Sequence, residues 1–98
     1  MARYQVLYWQ DVPSVVKAID DDGGELKREL PEWFQQEIDK RAMVQGLAAT
    51  DAYLEQWGWG PWLDRDGTAE QVAAALVAEL DEEWEPVRTR QARPDDEI

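Results

Sequence analysis

The chain's 98 residues include 22 acidic and 10 basic side chains, giving a formal net charge of −12, with no cysteine and no histidine. That length supports one domain around one modest core, and the negative field argues against nucleic acid or anionic membrane as a partner. With Ser14 the only serine, thiol catalysis, Ser–His catalysis and zinc held by Cys or His are excluded.

"RYQVLYW" (Arg3 to Trp9) has the aromatic and β-branched composition of a buried strand. Alternation places Tyr4, Val6 and Tyr8 on one side and Leu7 and Trp9 on the other. Pro13 is expected to break that strand, and "SVVKAID" (Ser14 to Asp20) reads as a second. The glycines of "DDGG" suit a hairpin turn into a third strand, "ELKREL", whose alternating charges fit an exposed edge. Pro31 then opens a helix to about Gln45, with Phe34, Ile38 and Ala42 on its core stripe and Gly46 near its end. The stretch around Tyr53 to Trp57 is a candidate fourth strand, restricted beyond that point by Pro61 and the glycines. Thr68 and Gln71 form a capping box for a second helix, and Val72, Ala73, Leu76, Val77, Leu80 and Trp84 share its apolar arc. These elements predict an α+β fold: a small antiparallel sheet of three or four strands with two helices packed on one face. A single domain over residues 1–86 and a disordered tail over 87–98 complete the expected organisation.

No apolar run approaches the roughly 20 residues of a membrane span. The opening "MARYQVLYWQ" lacks a signal peptide's apolar region, so a cytoplasmic location is expected. "LDRDGT" resembles a calcium loop only in part. In that register Trp62 and Ala73 would occupy ligand positions, and neither side chain coordinates calcium. No metal, cofactor or catalytic residue is therefore assigned, and the chain is expected not to be an enzyme.

Two features point to recognition. Glu79, Asp81, Glu82, Glu83 and Glu85 crowd a helix C-terminus, where the dipole disfavours negative charge. The cluster suits a basic partner or a solvated face, and Arg88 and Arg90 are placed to fold back on it. Trp57, Trp59 and Trp62 cluster between glycines, with Trp57 and Trp59 on one face. Their rings suit either core packing or a protein-contact hot spot. Trp9 and Trp84 read as structural.

The segments "YQVLYWQDVPSVVKA", "FQQEIDKRAM", "TDAYLEQWGWG" and "DGTAEQVAAALVAEL" together resemble the small bacterial virulence factor domain family. That family includes short stand-alone proteins and a terminal domain of conserved virulence factor C proteins. The resemblance extends over about Tyr4 to Glu82. It implies shared roles for Asp11, Asp39, Asp51 and Tyr53, which match its motifs, although turn and helix-end hydrogen bonding is the plainer role for them. Trp33 stands where the family often has Arg, so a ligand contact made by that Arg would be altered here. No agreed activity attaches to the family. Association of such genes with corrinoid and folate methyl-transfer clusters implies an accessory role in one-carbon metabolism. The sequence thus predicts a non-catalytic interaction or accessory module holding a protein partner, for which a basic surface would be complementary. The alternatives are a cofactor-handling domain with Trp57 and Trp59 stacking on a ring and, less favoured, an acidic mimic of nucleic acid.

Overall fold

A computed structural model describes residues 1–91 of the chain. The aromatic and β-branched segments pair first: β1 (Ala2–Trp9) lies antiparallel to β2 (Val12–Ile19) across a turn at Gln10 and Asp11. The first strand does end before Pro13, as the sequence suggested, but the second starts earlier than the expected Ser14, so that Pro13 lies inside β2. Tyr8 pairs with Pro13 and Leu7 with Val15, so Ser14 is the extra residue of a β-bulge. A bulge already interrupts the ladder, so Pro's missing donor is tolerated there. β3 (Glu25–Glu29) continues the sheet on the far side of β2 and forms its charged edge.

The opposite edge is where sequence and structure diverge most. The strand expected at Tyr53 to Trp57 is instead the short helix α2 (Asp51–Glu55), followed by β4 (Trp57–Trp59). Ala52, Leu54 and Glu55 are good helix formers, and the turn places the Tyr53 ring against Trp9, with centroids 5.5 Å apart. Pairing also continues past Pro61, through β5 (Leu63–Arg65). β4 and β5 both lie antiparallel to β1, with Leu7 opposite Trp59 and Tyr4 opposite Leu63. Gln5 and Val6 therefore face three residues, Gly60, Pro61 and Trp62, and the edge strand bulges at its proline. The Gly60 N–H still donates to Val6 O at 2.8 Å, and the buried Gln5 amide donates to Gly60 O at 3.1 Å. The sheet thus has five strands among the described residues, ordered β3-β2-β1-β4 with β5 also on β1.

Helix α1 (Glu32–Val44) buries Phe34, Ile38 and Ala42 as its spacing predicts, with Pro31 at the cap position. It ends at Gly46, whose φ of 73° is free of Cβ strain. There Gly46 N–H donates to Met43 O and Leu47 N–H to Ala42 O, satisfying two of the helix's last carbonyls. Helix α3 (Ala69–Glu83) has the predicted capping box: Thr68 Oγ1 accepts from Gln71 N–H, and Gln71 Oε1 accepts from Thr68 N–H. Asp20, at the end of β2, accepts from Ala69 N–H, tying the helix start to the β2–β3 turn.

Beyond Trp84 the chain forms α4 (Glu85–Gln91), a helix where the sequence pattern predicted none over residues 87–91. Arg88 accounts for the difference. It pairs with Asp81 at 3.3 Å and Glu85 at 3.9 Å and lies over the Trp33 ring, charge contacts that apolar patterning does not register. The remainder of the expected disordered tail, over residues 92–98, lies outside the described residues.

Candidate functional site

The predicted alternation along β4 is realised: Trp57 lies opposite Trp9 and Trp59 opposite Leu7, with Gly58 between them. The environments of the two rings differ. Trp57 is half-buried and meets Tyr53 edge-on, with centroids 6.3 Å apart. Trp59 is exposed, as is Trp62. The bulge at Pro61 brings Trp62 beside Trp59, and Lys17 of β2 reaches between them. Its Nζ lies 4.3 Å from the Trp59 ring centre and 5.6 Å from that of Trp62. Arg3 of β1 lies 5.3 Å from the Trp62 ring centre and 3.9 Å from Asp64. Each cation–ring contact contributes about 0.5–1 kcal/mol at an exposed site. Together they hold two large aromatic surfaces in fixed orientation on the solvent side of a sheet edge. Of the three predicted tryptophans, Trp59 and Trp62 form this surface and Trp57 buttresses it. Lys17 and Arg3 were not predicted; the legible signal was their positions opposite Val16 and Tyr4 in the strand alternation.

The acidic cluster is more neutralised than its composition suggests. Arg65 of β5 grips Glu79 with two hydrogen bonds, 3.0 and 2.6 Å, and holds that carboxyl below its ordinary pKa. Asp81 accepts from Trp33 Nε1 at 2.8 Å and also from Arg88, which additionally reaches Glu85. An indole donor therefore occupies position 33, where the resemblance implies Arg, and it serves a carboxylate of the protein itself. Glu82 and Glu83 are exposed and form no ion pair among the described residues.

Three of the four family-motif residues fall into two groups. Asp11, in the β1–β2 turn, accepts from Arg41 at 3.1 Å; Arg41 also bonds Glu37 at 2.7 Å and lies over Trp84 at 5.3 Å. Asp39, Ala42, Met43 and Tyr53, from α1 and α2, line one shallow apolar cavity of about 370 Å³. Asp39 also accepts from Gln35 at 3.0 Å. Ala48 and Ala49 complete the cavity wall, the latter at a left-handed φ of 64°. Asp51 opens α2 and is not among the cavity's lining residues. The motifs thus mark one turn-anchoring contact and one surface hollow.

The fold and its surfaces define a small α+β domain with no helix among the described residues long and apolar enough to cross a membrane. The chain belongs to the virulence factor family, whose model matches residues 7–91. No curated protein and no solved structure matches it.

Proposed function

We propose that the chain is a non-catalytic cytoplasmic interaction module that holds a partner protein against the Trp59–Trp62 edge. The observation that carries this reading is the exposure of both rings while Lys17 and Arg3 fix them from the sheet. Trp and Arg dominate the energetic centres of protein interfaces. Rings already fixed lose less freedom on binding. The net charge of −12 would draw a partner with basic surroundings to the protein as a whole. The alternative of a corrinoid or folate accessory protein requires Trp57 and Trp59 to offer open ring faces to one ligand. The engagement of Trp57 with Tyr53 favours a protein partner instead.

Pull-down with the tagged chain, at low and raised salt, tests the proposal. A Trp59→Ala/Trp62→Ala variant loses three cation–ring contacts, so it should stay folded with a melting temperature lowered by about 6–20 °C. Assayed well below that temperature, it should lose partner capture at least ~30-fold, since truncated hot spots cost about 2 kcal/mol or more each. Glu82→Gln/Glu83→Gln should only soften the salt dependence of capture. Undiminished capture by the tryptophan variant would refute the reading.

A further inference from the structure

On the other side of the β4–β5 edge, a cleft of about 210 Å³ opens between β1 and α3. Tyr4 and Tyr8 line one wall, and the opposite wall is one stripe of α3: Leu76, Glu79, Leu80 and Glu83. Gly60 and Pro61 lie at its border. A Cβ on Gly60 would stand 3.3 Å from the Tyr8 ring, so glycine lets the bulged edge pack closely beside that ring. The groups in the cleft are complementary to a particular kind of ligand. Glu79 is neutralised by Arg65, which leaves Glu83 as the carboxylate without an ion-pair partner among the described residues. Neither tyrosine hydroxyl hydrogen-bonds to protein among those residues. Burial, aided by Glu83 and Tyr4, raises the Tyr8 phenol above its ordinary 10.0, so it remains neutral at physiological pH.

We infer that this cleft binds a small organic ammonium, with its charge between Glu83 and the tyrosine rings and its alkyl body on Leu76 and Leu80. Aromatic faces attract cations, and the free carboxylate supplies the counter-charge. The apolar floor favours a ligand carrying hydrocarbon. An anion would meet the unpaired charge of Glu83. A divalent metal needs six or more oxygen ligands, and the leucine floor offers none. The volume lies below the ~300–1,000 Å³ of pockets for drug-sized ligands, which restricts the ligand to a few carbons around its nitrogen. The protein's overall negative charge raises the local concentration of any such cation.

Titration of the ¹⁵N-labelled chain with n-butylammonium chloride, followed by amide chemical shifts, tests the inference. Saturable shifts should be confined to Tyr4–Tyr8, Gly60 and Leu76–Glu83, and n-butanol at equal concentration should not reproduce them. Glu83→Gln should weaken binding about tenfold, while Glu82→Gln, one residue away on the same acidic segment, should leave it within twofold. Trp59→Ala/Trp62→Ala should leave it unchanged, so failure here and failure of the partner proposal are separable. Three results would each overturn the inference. These are shifts scattered over the acidic surface, equal weakening by Glu82→Gln and Glu83→Gln, or saturation by a lysine-containing peptide or by calcium but not by butylammonium.

Discussion

Trp9→Ala is expected to destabilise the protein by about 3–5 kcal/mol, the range for removing a large aromatic side chain from a packed core. Small domains have only ~5–15 kcal/mol of stability, so this substitution should leave the chain partly or wholly unfolded at 37 °C. Trp9 is fully buried and is the largest of the fully buried side chains. It is also more than filler. Its Nε1–H donates to Tyr53 O at 2.9 Å, and its ring lies against the Tyr53 ring, fastening α2 to the end of β1. α2 in turn delivers the chain into β4, so the Trp59–Trp62 surface depends on this fastening. Trp9→Phe separates the two contributions. It retains most of the apolar volume but removes the indole donor to the Tyr53 carbonyl, which still accepts from Gln56 N–H, for an expected loss of about 0.5–1.5 kcal/mol. Urea unfolding followed by far-UV circular dichroism measures both. A loss below 1 kcal/mol for Trp9→Ala would show that α2 is not held in this way.

The second large effect is expected at Arg41. Its guanidinium bonds Glu37, whose side chain is buried on α1, reaches Asp11 in the β1–β2 turn, and lies over Trp84 at the end of α3. One side chain therefore joins a helix, a hairpin turn and a second helix. Arg41→Met keeps much of the apolar stem but removes the cation beside a buried carboxylate. Breaking a buried pair from one side costs about 3–5 kcal/mol; part of Arg41 is exposed, so about 2–4 kcal/mol is expected. Arg41→Lys keeps the charge but loses the planar fork that serves two carboxylates, and should fall between wild type and Met. Adding Glu37→Gln to Arg41→Met should recover part of the loss, because the buried group left behind no longer carries charge. A double-mutant cycle in urea measures this coupling. Strictly additive losses would show that the pair is not coupled.

The elements legible in the sequence were those whose local chemistry and final packing agree. The α3 capping box, the Phe34–Ile38–Ala42 stripe, the edge character of β3 and the alternation of Trp57 and Trp59 all follow from spacing. What escaped was decided by contacts distant in sequence. Residues 51–55 carry good helix formers, but the contact that seats their helix against β1 comes from Trp9, 44 residues from Tyr53 along the chain. β5 exists because β1 supplies Ala2–Tyr4 as a second pairing stretch after the bulge at Pro61, which local restriction at proline does not reveal. The helical continuation at Glu85–Gln91 relies on Arg88 meeting Asp81 and the Trp33 ring.

The candidate surface was half visible for the same reason. Clustered tryptophans announced themselves, but whether they would be core or exposed turned on Lys17 and Tyr53. Lys17 reaches out from β2 to hold Trp59 and Trp62, and Tyr53 draws Trp57 inward. The acidic segment looked like one patch in sequence. Arg65 and Arg88 divide it into paired carboxylates and two glutamates with no ion pair among the described residues, Glu82 and Glu83. Positions such as Arg41 are partly legible, since Glu37 and Arg41 are spaced i, i+4 on one helix face. The burial that makes that pair matter is a property of the folded whole.

Site-specific photo-crosslinking in cells gives the most direct test of the claim that this domain engages a protein through its tryptophan edge. A benzophenone amino acid would replace Asp64, which is exposed and pairs with Arg3 beside Trp62, or Ala74, which is exposed on α3. The account predicts a discrete crosslinked species from position 64, none from position 74, and loss of the first in the Trp59→Ala/Trp62→Ala background. A crosslink from position 74 alone, or one from position 64 that survives removal of both rings, would contradict it.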